Sequence, residues 1–179
     1  MKLTKIKTLC VAAGRAELIV EMTQEGELRR QWISNGEALW LLTGLPCLEP
    51  ENLPILLGLT NKQAEKLSFG LQPFPAEYDS SDYAASDRVI RRAACSISAL
   101  GQDLLLLNGS QGTLLIQSAH IAPVWTETTM IIERRTKGGR TYIVLLDGLL
   151  VTGIVMPVPA QSLISETDKA ALRLLVQQL

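Results

Sequence analysis

Apolar residues alternate with polar ones, or form short blocks, along most of this chain, a pattern that predicts strands more often than helices. The apolar runs 6–12 and 18–23 are separated by Gly14-Arg15, so they predict an opening hairpin. A second hairpin is marked by Asn35-Gly36, because these residues accept the positive φ angles of a tight turn. Trp32 and Trp40 are predicted to flank that turn.

Two segments have helical spacing instead. Between residues 50 and 69, Leu53, Leu56 and Leu57 are spaced as on one helix face, and Thr60-Asn61-Lys62-Gln63 fits a capping box. Near the C-terminus, the segment 165–168 is typical of a helix start and is followed by apolar residues at three- and four-residue spacing. We therefore expect a helical insertion near 50–69 and a C-terminal helix.

The second half of the chain is predicted to be almost entirely antiparallel β. Weak alternation over 89–97 predicts one strand, and five more follow, at 104–107, 113–117, 129–135, 140–146 and 149–156. The predicted breaks between these five are Asn108-Gly109, Ala122-Pro123, Lys137-Gly138-Gly139 and Asp147-Gly148.

The predicted fold class is thus α+β, dominated by antiparallel β hairpins in coiled sheets or small barrels. We expect a single domain, 1–179. The long loop 70–87 is the one candidate internal boundary, which would separate subdomains 1–69 and 88–179.

A regularity links three turns. Asn35-Gly36, Asn108-Gly109 and Asp147-Gly148 each precede an apolar segment that ends in a proline, at Pro46, Pro123 and Pro157. A duplicated barrel-like unit would produce this pattern. Repeated use of common hairpin turns also produces it, and we favour that interpretation.

Composition and charge narrow the class of protein. The net charge of −1 gives no overall field toward nucleic acid or anionic lipid, and no apolar run reaches the length of a membrane helix, so no membrane partner is expected. The basic N-terminus resembles the start of a signal peptide, but Arg15, Glu17 and Glu21 follow too soon for an export core. Three cysteines without a CxxC spacing are predicted to be small core residues in a reducing compartment. Together these features predict a cytoplasmic protein.

Candidate catalytic chemistry is sparse. His120 is the single histidine, and the three cysteines, Cys10, Cys47 and Cys95, match no metal-binding spacing. We predict no catalytic residues, no metal, no cofactor and no enzymatic activity. The alternative is a hydrolase centred on His120, with Ser110 or Ser118 as the nucleophile and Asp103 or Asp147 as the acid.

Two charged segments are the predicted contact sites. The first, the acidic loop, is predicted to bind a partner protein through Glu77, Tyr78, Asp79, Asp82, Tyr83 and Asp87. The second, the basic hairpin, is predicted to bind nucleic acid or a partner through Arg134, Arg135, Lys137 and Arg140. The competing interpretations are a disordered connector for the loop, which we favour, and a solubilising charged tip for the hairpin.

Two blocks carry a resemblance. The segment 31–40, continuing through Leu45-Pro46, and the segment 142–150, continuing through Met156-Pro157, resemble blocks in small uncharacterised proteins carried by phages and mobile elements of anaerobic bacteria. Anti-defence proteins, including inhibitors of CRISPR nucleases, are similar in size. The resemblance implies no catalytic motif. It implies a non-enzymatic binding protein that inhibits or modulates a host protein, with a defence nuclease as one such target.

Two further hypotheses remain open. A nucleic-acid-binding accessory protein that uses the basic hairpin is the alternative binding function. Self-association into a homodimer is compatible with every hypothesis, because the chain is rich in leucine.

Overall fold

Two β-sheets form the framework of the chain in a computed structural model, which describes residues 1–99 and 101–159 and, of these, the side chains of all but 92–95 and 99. The strands are β1 (Arg15–Met22), β2 (Leu28–Ser34), β3 (Ala38–Leu42), β4 (Ser68–Pro73), β5 (Arg88–Val89), β6 (Arg92–Ala99), β7 (Gln102–Gly109), β8 (Gly112–Gln117), β9 (Thr129–Arg135), β10 (Thr141–Asp147) and β11 (Leu150–Val155). The helices are short except the first: α1 (Leu3–Ala13), a 3-10 turn (Pro50–Asn52), α2 (Leu53–Leu56), α3 (Asn61–Ala64) and α4 (Ser118–Ile121).

The predicted mixture of mainly antiparallel β with a few helices is confirmed. One sheet has eight strands in the order β4-β1-β2-β3-β11-β10-β9-β5, and the other has three in the order β6-β7-β8. Among the described strands, only β1 and β4 pair in parallel. In the part of the chain that the structure describes, both sheets have open edges, so the expected small barrels are not observed. The predicted C-terminal helix lies outside the described residues.

The larger sheet joins two three-strand meanders, β1-β2-β3 and β9-β10-β11, through their last strands. The joint is a short antiparallel ladder of three residue pairs, from Ala38↔Val155 to Trp40↔Gly153. The two meanders come from opposite sides of the loop at 70–87, so strands from both sides share one sheet.

The predicted strand at 6–12 is wrong, because these residues belong to α1. Ile6 and Cys10, four residues apart, are fully buried on one helix face, and Gly14 ends the helix with a left-handed φ of 68°. A short run of apolar residues fits both the helical period of 3.6 residues and the strand period of two. Here Gly14, which we interpreted as part of a hairpin turn, is the C-cap of a helix.

The turn predictions had mixed outcomes. The Asn35-Gly36 hairpin is confirmed between β2 and β3, with Gly36 at φ 90°, and Gly148 begins the turn between β10 and β11 with φ 62°. The expected turn at Asn108-Gly109 is wrong: Gly109 forms the last pair of the ladder, with Gly112, and the turn lies at residues 110–111. A Cβ atom at position 109 would lie 2.8 Å from a methyl carbon of Leu114, so close packing explains this glycine.

The helical insertion is confirmed in part. Thr60 and Gln63 form the predicted capping box at the start of α3. Ser68 and Phe69, however, begin β4, which pairs with β1 and also takes the first four residues of the predicted loop. The insertion therefore ends before Ser68, and the loop begins at Phe74.

The two faces of the larger sheet carry separate apolar cores. Trp40 belongs to the core on the face covered by α1 and the helical insertion, whereas Trp32 belongs to the core on the opposite face. Trp40 pairs with Ile33, the neighbour of Trp32, so the side chains of the two tryptophans point to opposite sides of the sheet. Cys10 lies in the first core, where burial raises the pKa of its thiol to about 12. Cys47 is exposed, so the expectation of a core cysteine is wrong at that position.

Candidate functional site

The acidic loop lies across one face of the larger sheet. We call residues 74–87 the strap, because they connect β4 and β5, the outermost strands, and must cross the whole sheet between them. Phe74 packs against Trp32 with ring centroids 5.7 Å apart, and Tyr78 packs against Tyr142 at 5.0 Å. The strap therefore covers the second apolar core.

Arg134 anchors the far end of the strap. Its side chain, 1% exposed, donates to both carboxylate oxygens of Asp87, at 2.5 and 2.7 Å. It also donates to the backbone carbonyls of Asp79 (2.9 Å) and Ser81 (2.8 Å). Burial alone would lower the pKa of Arg134, but the hydrogen bonds and charge of Asp87 outweigh it and raise that pKa. The guanidinium thus stays charged and fully engaged inside the molecule.

Arg30 and Glu21 anchor the middle of the strap from the other half of the sheet. Arg30 donates to Asp82 at 2.7 Å and to the carbonyl of Ser80. The Ser80 hydroxyl lies 2.8 Å from both carboxylate oxygens of Glu21. Asp82 in turn accepts the backbone N–H of Val151 at 3.0 Å. Polar groups of the strap are thus paired with side chains and backbone of β1, β2 and β11.

The structure brings the two predicted contact segments together, with Arg134 paired to Asp87 between them. Arg135, which is exposed, donates to the Ser110 hydroxyl at 2.8 Å. At the tip of the β9–β10 hairpin, Lys137 and Arg140 are exposed, and within residues 1–99 and 101–159 neither side chain forms an ion pair or hydrogen bond. On the strap, the exposed members of the predicted set are Glu77, Asp79 and Tyr83.

A cleft of about 660 Å³ opens beside the strap, and sequence reasoning did not predict it. It forms where β3 and β11 separate beyond Trp40↔Gly153. The cause is a bulge in β11, where the pairing with β10 shifts and the Thr152 hydroxyl donates to the Leu145 carbonyl at 3.1 Å.

The cleft has apolar walls and a few charged groups. Its walls include Leu28, Leu41, Leu42, Leu45, Val124, Leu150 and Val151. Arg29, Arg30, Asp82 and Asp147 also line it, so positive and negative charges balance. Most ligand and anchor pockets in proteins combine an apolar lining with a few placed polar groups in this way.

The rim of the cleft exposes large apolar side chains. Leu150 is 62% exposed and Leu45 is 37% exposed. Leu149, next to Leu150, is 80% exposed, and Tyr83, next to Asp82, is 78% exposed. The signal in the sequence was the apolar pair Leu149-Leu150 directly after the predicted Asp147-Gly148 turn, which we assigned to the strand 149–156 without considering its exposure. An exposed apolar rim around a concave surface is typical of a binding site.

His120 is buried on the opposite face of the sheet, beside the buried Asn35 and the exposed Glu37. Its Nε2 atom is 3.3 Å from Glu37 and 3.3 Å from the Asn35 amide nitrogen, and its backbone carbonyl accepts the indole N–H of Trp40 at 2.8 Å. Burial lowers the pKa of His120, and the charge of Glu37 opposes that shift.

Two of the groups considered as partners of His120, Ser110 and Asp147, make other contacts. The Ser110 hydroxyl donates to Glu133. Asp147 accepts from the hydroxyls of Thr126 and Thr128. The structure thus gives His120 a neighbouring carboxylate from Glu37, a residue that the sequence did not single out.

Across the described parts of the chain, no helix is both long and apolar enough to cross a membrane, and no group of three His, Cys, Asp or Glu side chains is placed to hold a metal ion. No protein-family model, no curated protein and no solved structure matches this chain.

Proposed function

We propose that the chain is a non-enzymatic binding protein, of the phage or mobile-element type, that inhibits or modulates a host protein by occupying part of its surface. The observation that carries the proposal is the cleft between β3 and β11, with Leu45 and Leu150 exposed at its rim. Concave apolar surfaces with exposed anchors provide most of the affinity in protein complexes.

The shape and polarity of the cleft indicate which kind of protein surface would fit it. Its volume of about 660 Å³ is enough for one or two large apolar side chains presented by a loop or strand end of a folded protein. Beside it, the strap exposes Glu77, Asp79 and the ring of Tyr83. The complementary partner carries apolar side chains flanked by Lys or Arg.

Proteins that act on nucleic acid have such basic surfaces, and a defence nuclease is one example. Acidic groups at the rim would speed encounter with a basic surface, while the cleft would slow dissociation. On this proposal the strap provides steering and Leu150 with Leu45 provides the anchor.

The test starts with a photo-crosslinking amino acid at position 150. Once the cross-linked host protein is identified, its affinity is measured by calorimetry with the wild type, Leu150→Asp, Leu45→Asp and the control Ile55→Asp. Ile55 is 83% exposed on α2 and does not line the cleft, so it matches the chemical change without touching the site.

We expect at least tenfold weaker binding for both cleft variants, since anchors in such clefts cost more than about 1.4 kcal/mol when changed. The control should bind like the wild type, and all variants should unfold at the same urea concentration. Equal affinity of Leu150→Asp and wild type would show that the cleft is not the contact surface.

A second candidate function, nucleic-acid binding, rests on the free cations at the β9–β10 tip. Arg134 is buried in its ion pair with Asp87, and the exposed Arg135 donates to Ser110, so among the described residues Lys137 and Arg140 are the cations of the predicted basic hairpin without such contacts. Two phosphate contacts predict only a shallow salt dependence, with a slope of about −1.4 to −1.8.

Fluorescence anisotropy with labelled DNA and RNA tests this second function. Replacing Lys137 and Arg140 with alanine should abolish the salt-dependent binding. The same double change at Lys62 and Lys66, which are exposed near α3, is the control. Equal weakening by both double variants would exclude the hairpin tip as the specific contact.

A further inference from the structure

The outer edge of β4 is an open template for another strand. Ser68 and Phe74 donate their backbone N–H groups to Gly14 and Val20, on the β1 side. Because the direction of backbone groups alternates along a strand, the N–H and C=O groups of Phe69 and Leu71 point away from β1. Among the described residues, no strand pairs with β4 on that side.

Apart from Pro73 at its end, the edge lacks the usual protection against pairing. The segment Ser68–Pro73 contains no charged residue and pairs with β1 in continuous register. Leu71 is 52% exposed on it. By contrast, β5 at the other edge is two residues long and carries Arg88. Long, uncharged edges are the ones that accept an additional strand.

We propose that a second copy of this chain pairs with β4 in antiparallel orientation about a two-fold axis at Gly70. In this register Phe69 faces Leu71 of the other copy and forms a hydrogen-bonded pair, so the two outward residues of each strand supply four N–H···O bonds. The same pairing places the two apolar side chains side by side on one face of a continuous sheet.

The backbone at the axis permits the arrangement. Gly70 lies within β4 without a positive φ, and a Cβ atom added there would meet no atom within 4 Å. Pro73 has no N–H group and ends the ladder after these pairs. A second copy fits this edge because Ser68–Pro73 carries no charge, so two identical strands meet without like-charge repulsion, and apolar Phe69 lies opposite apolar Leu71.

The first test uses sedimentation velocity on the full chain over a range of concentrations. Leu71→Pro removes the outward N–H group from each copy, hence two of the four intermolecular bonds, while the inward bonds of Gly70 and Gln72 remain. We expect the dimer to dissociate about 30-fold more readily, from about 1 kcal/mol for each bond. Leu71→Val keeps the N–H group and should dimerise within about threefold of wild type.

The second test fixes the register. In a Cys47→Ser background, which removes an exposed thiol, Gly70→Cys should form a disulfide-linked dimer on mild oxidation, because its partner position is itself. Ser68→Cys in the same background should not, since the two positions 68 would lie about 13 Å apart along the strands.

A wild type that stays monomeric at its highest soluble concentration would overturn the proposal and leave the edge to a partner's strand. A dimer that ignores Leu71→Pro, or that cross-links equally well from positions 68 and 70, would overturn it too. None of these outcomes depends on the cleft, so they are separable from the proposed function.

Discussion

Replacing Arg134 with methionine should destabilise the protein more than the loss of any exposed charge. The change keeps a long unbranched side chain but removes every hydrogen bond that Arg134 gives to Asp87 and to the carbonyls of Asp79 and Ser81. It leaves the Asp87 carboxylate, 12% exposed, without its counter-charge.

The structure sets the size of the effect. Removing one partner of a buried ion pair costs about 3–5 kcal/mol, because the remaining charge is desolvated without compensation. Asp87 retains some access to water, so we expect the lower part of that range, about 3 kcal/mol. For a chain of this size, that corresponds to a fall in Tm of about 6–12 °C.

Urea unfolding followed by tryptophan fluorescence measures this loss. Trp32 lies beneath Phe74 of the strap, so its emission also reports release of the strap before global unfolding. Hydrogen exchange over residues 76–87 separates the two events, since a detached strap would lose protection there first.

Arg29→Met is the matched control. Arg29 is 51% exposed and pairs with Glu21 at 2.9 Å, so its loss should cost less than about 1 kcal/mol. Adding Asp87→Asn to the Arg134→Met variant should restore part of the stability by removing the unpaired charge. If Arg134→Met loses no more stability than Arg29→Met, the strap is not held by this ion pair.

Three further predictions concern single positions. Gly36→Ala should lower the free energy of unfolding by about 1 kcal/mol more than Gly26→Ala. Both glycines have a positive φ, but only at position 36 would the new Cβ overlap the Arg15 guanidinium and break its hydrogen bond to Asn35. Urea unfolding of both variants measures this, and equal losses would contradict it. The pKa of His120 is lowered below 6.5 in the folded state, so the unfolded state binds more protons and the free energy of unfolding should fall as the pH drops below about 6.5. His120→Gln should flatten that pH dependence. A wild type that gains stability on acidification would refute the prediction. Gln31→Leu should lower the free energy of unfolding by about 1–3 kcal/mol and weaken partner binding. The reason is that Gln31 forms hydrogen bonds with the backbone of the loop that makes one wall of the cleft. Unchanged hydrogen-exchange rates in residues 43–48 would argue against this role.

Local patterns predicted most strands correctly. The strand Thr129–Arg135 was placed with its observed bounds, and the Asn35-Gly36 turn lies where its φ preference requires. The capping box at Thr60 was also read correctly. These features depend on contacts within a few residues, which a single sequence contains.

The errors arose where local signals were ambiguous. The run 6–12 fits both periods, and packing of Ile6 and Cys10 against the sheet selects the helix. β4 has weak alternation, and its partner β1 lies about fifty residues earlier in the chain. A strand whose partner is that distant leaves little local trace, because the pairing depends on tertiary contacts.

The sequence by itself determined the period of most strands, the positions of the Asn35-Gly36 and Asp147-Gly148 turns, and the presence of opposite charges near residues 77–87 and 134–140. Only the tertiary structure decided that Arg134 and Asp87 neutralise each other inside the molecule. A buried guanidinium is stable only beside an opposite charge, and the fold, not the local sequence, determines which carboxylate lies next to it. The tertiary structure also decided where the cleft opens, because the separation of β3 from β11 follows from a bulge and a sheet order that join strands more than a hundred residues apart. Pairing between strands that distant depends on the assembled sheet, and no local pattern of residues encodes it.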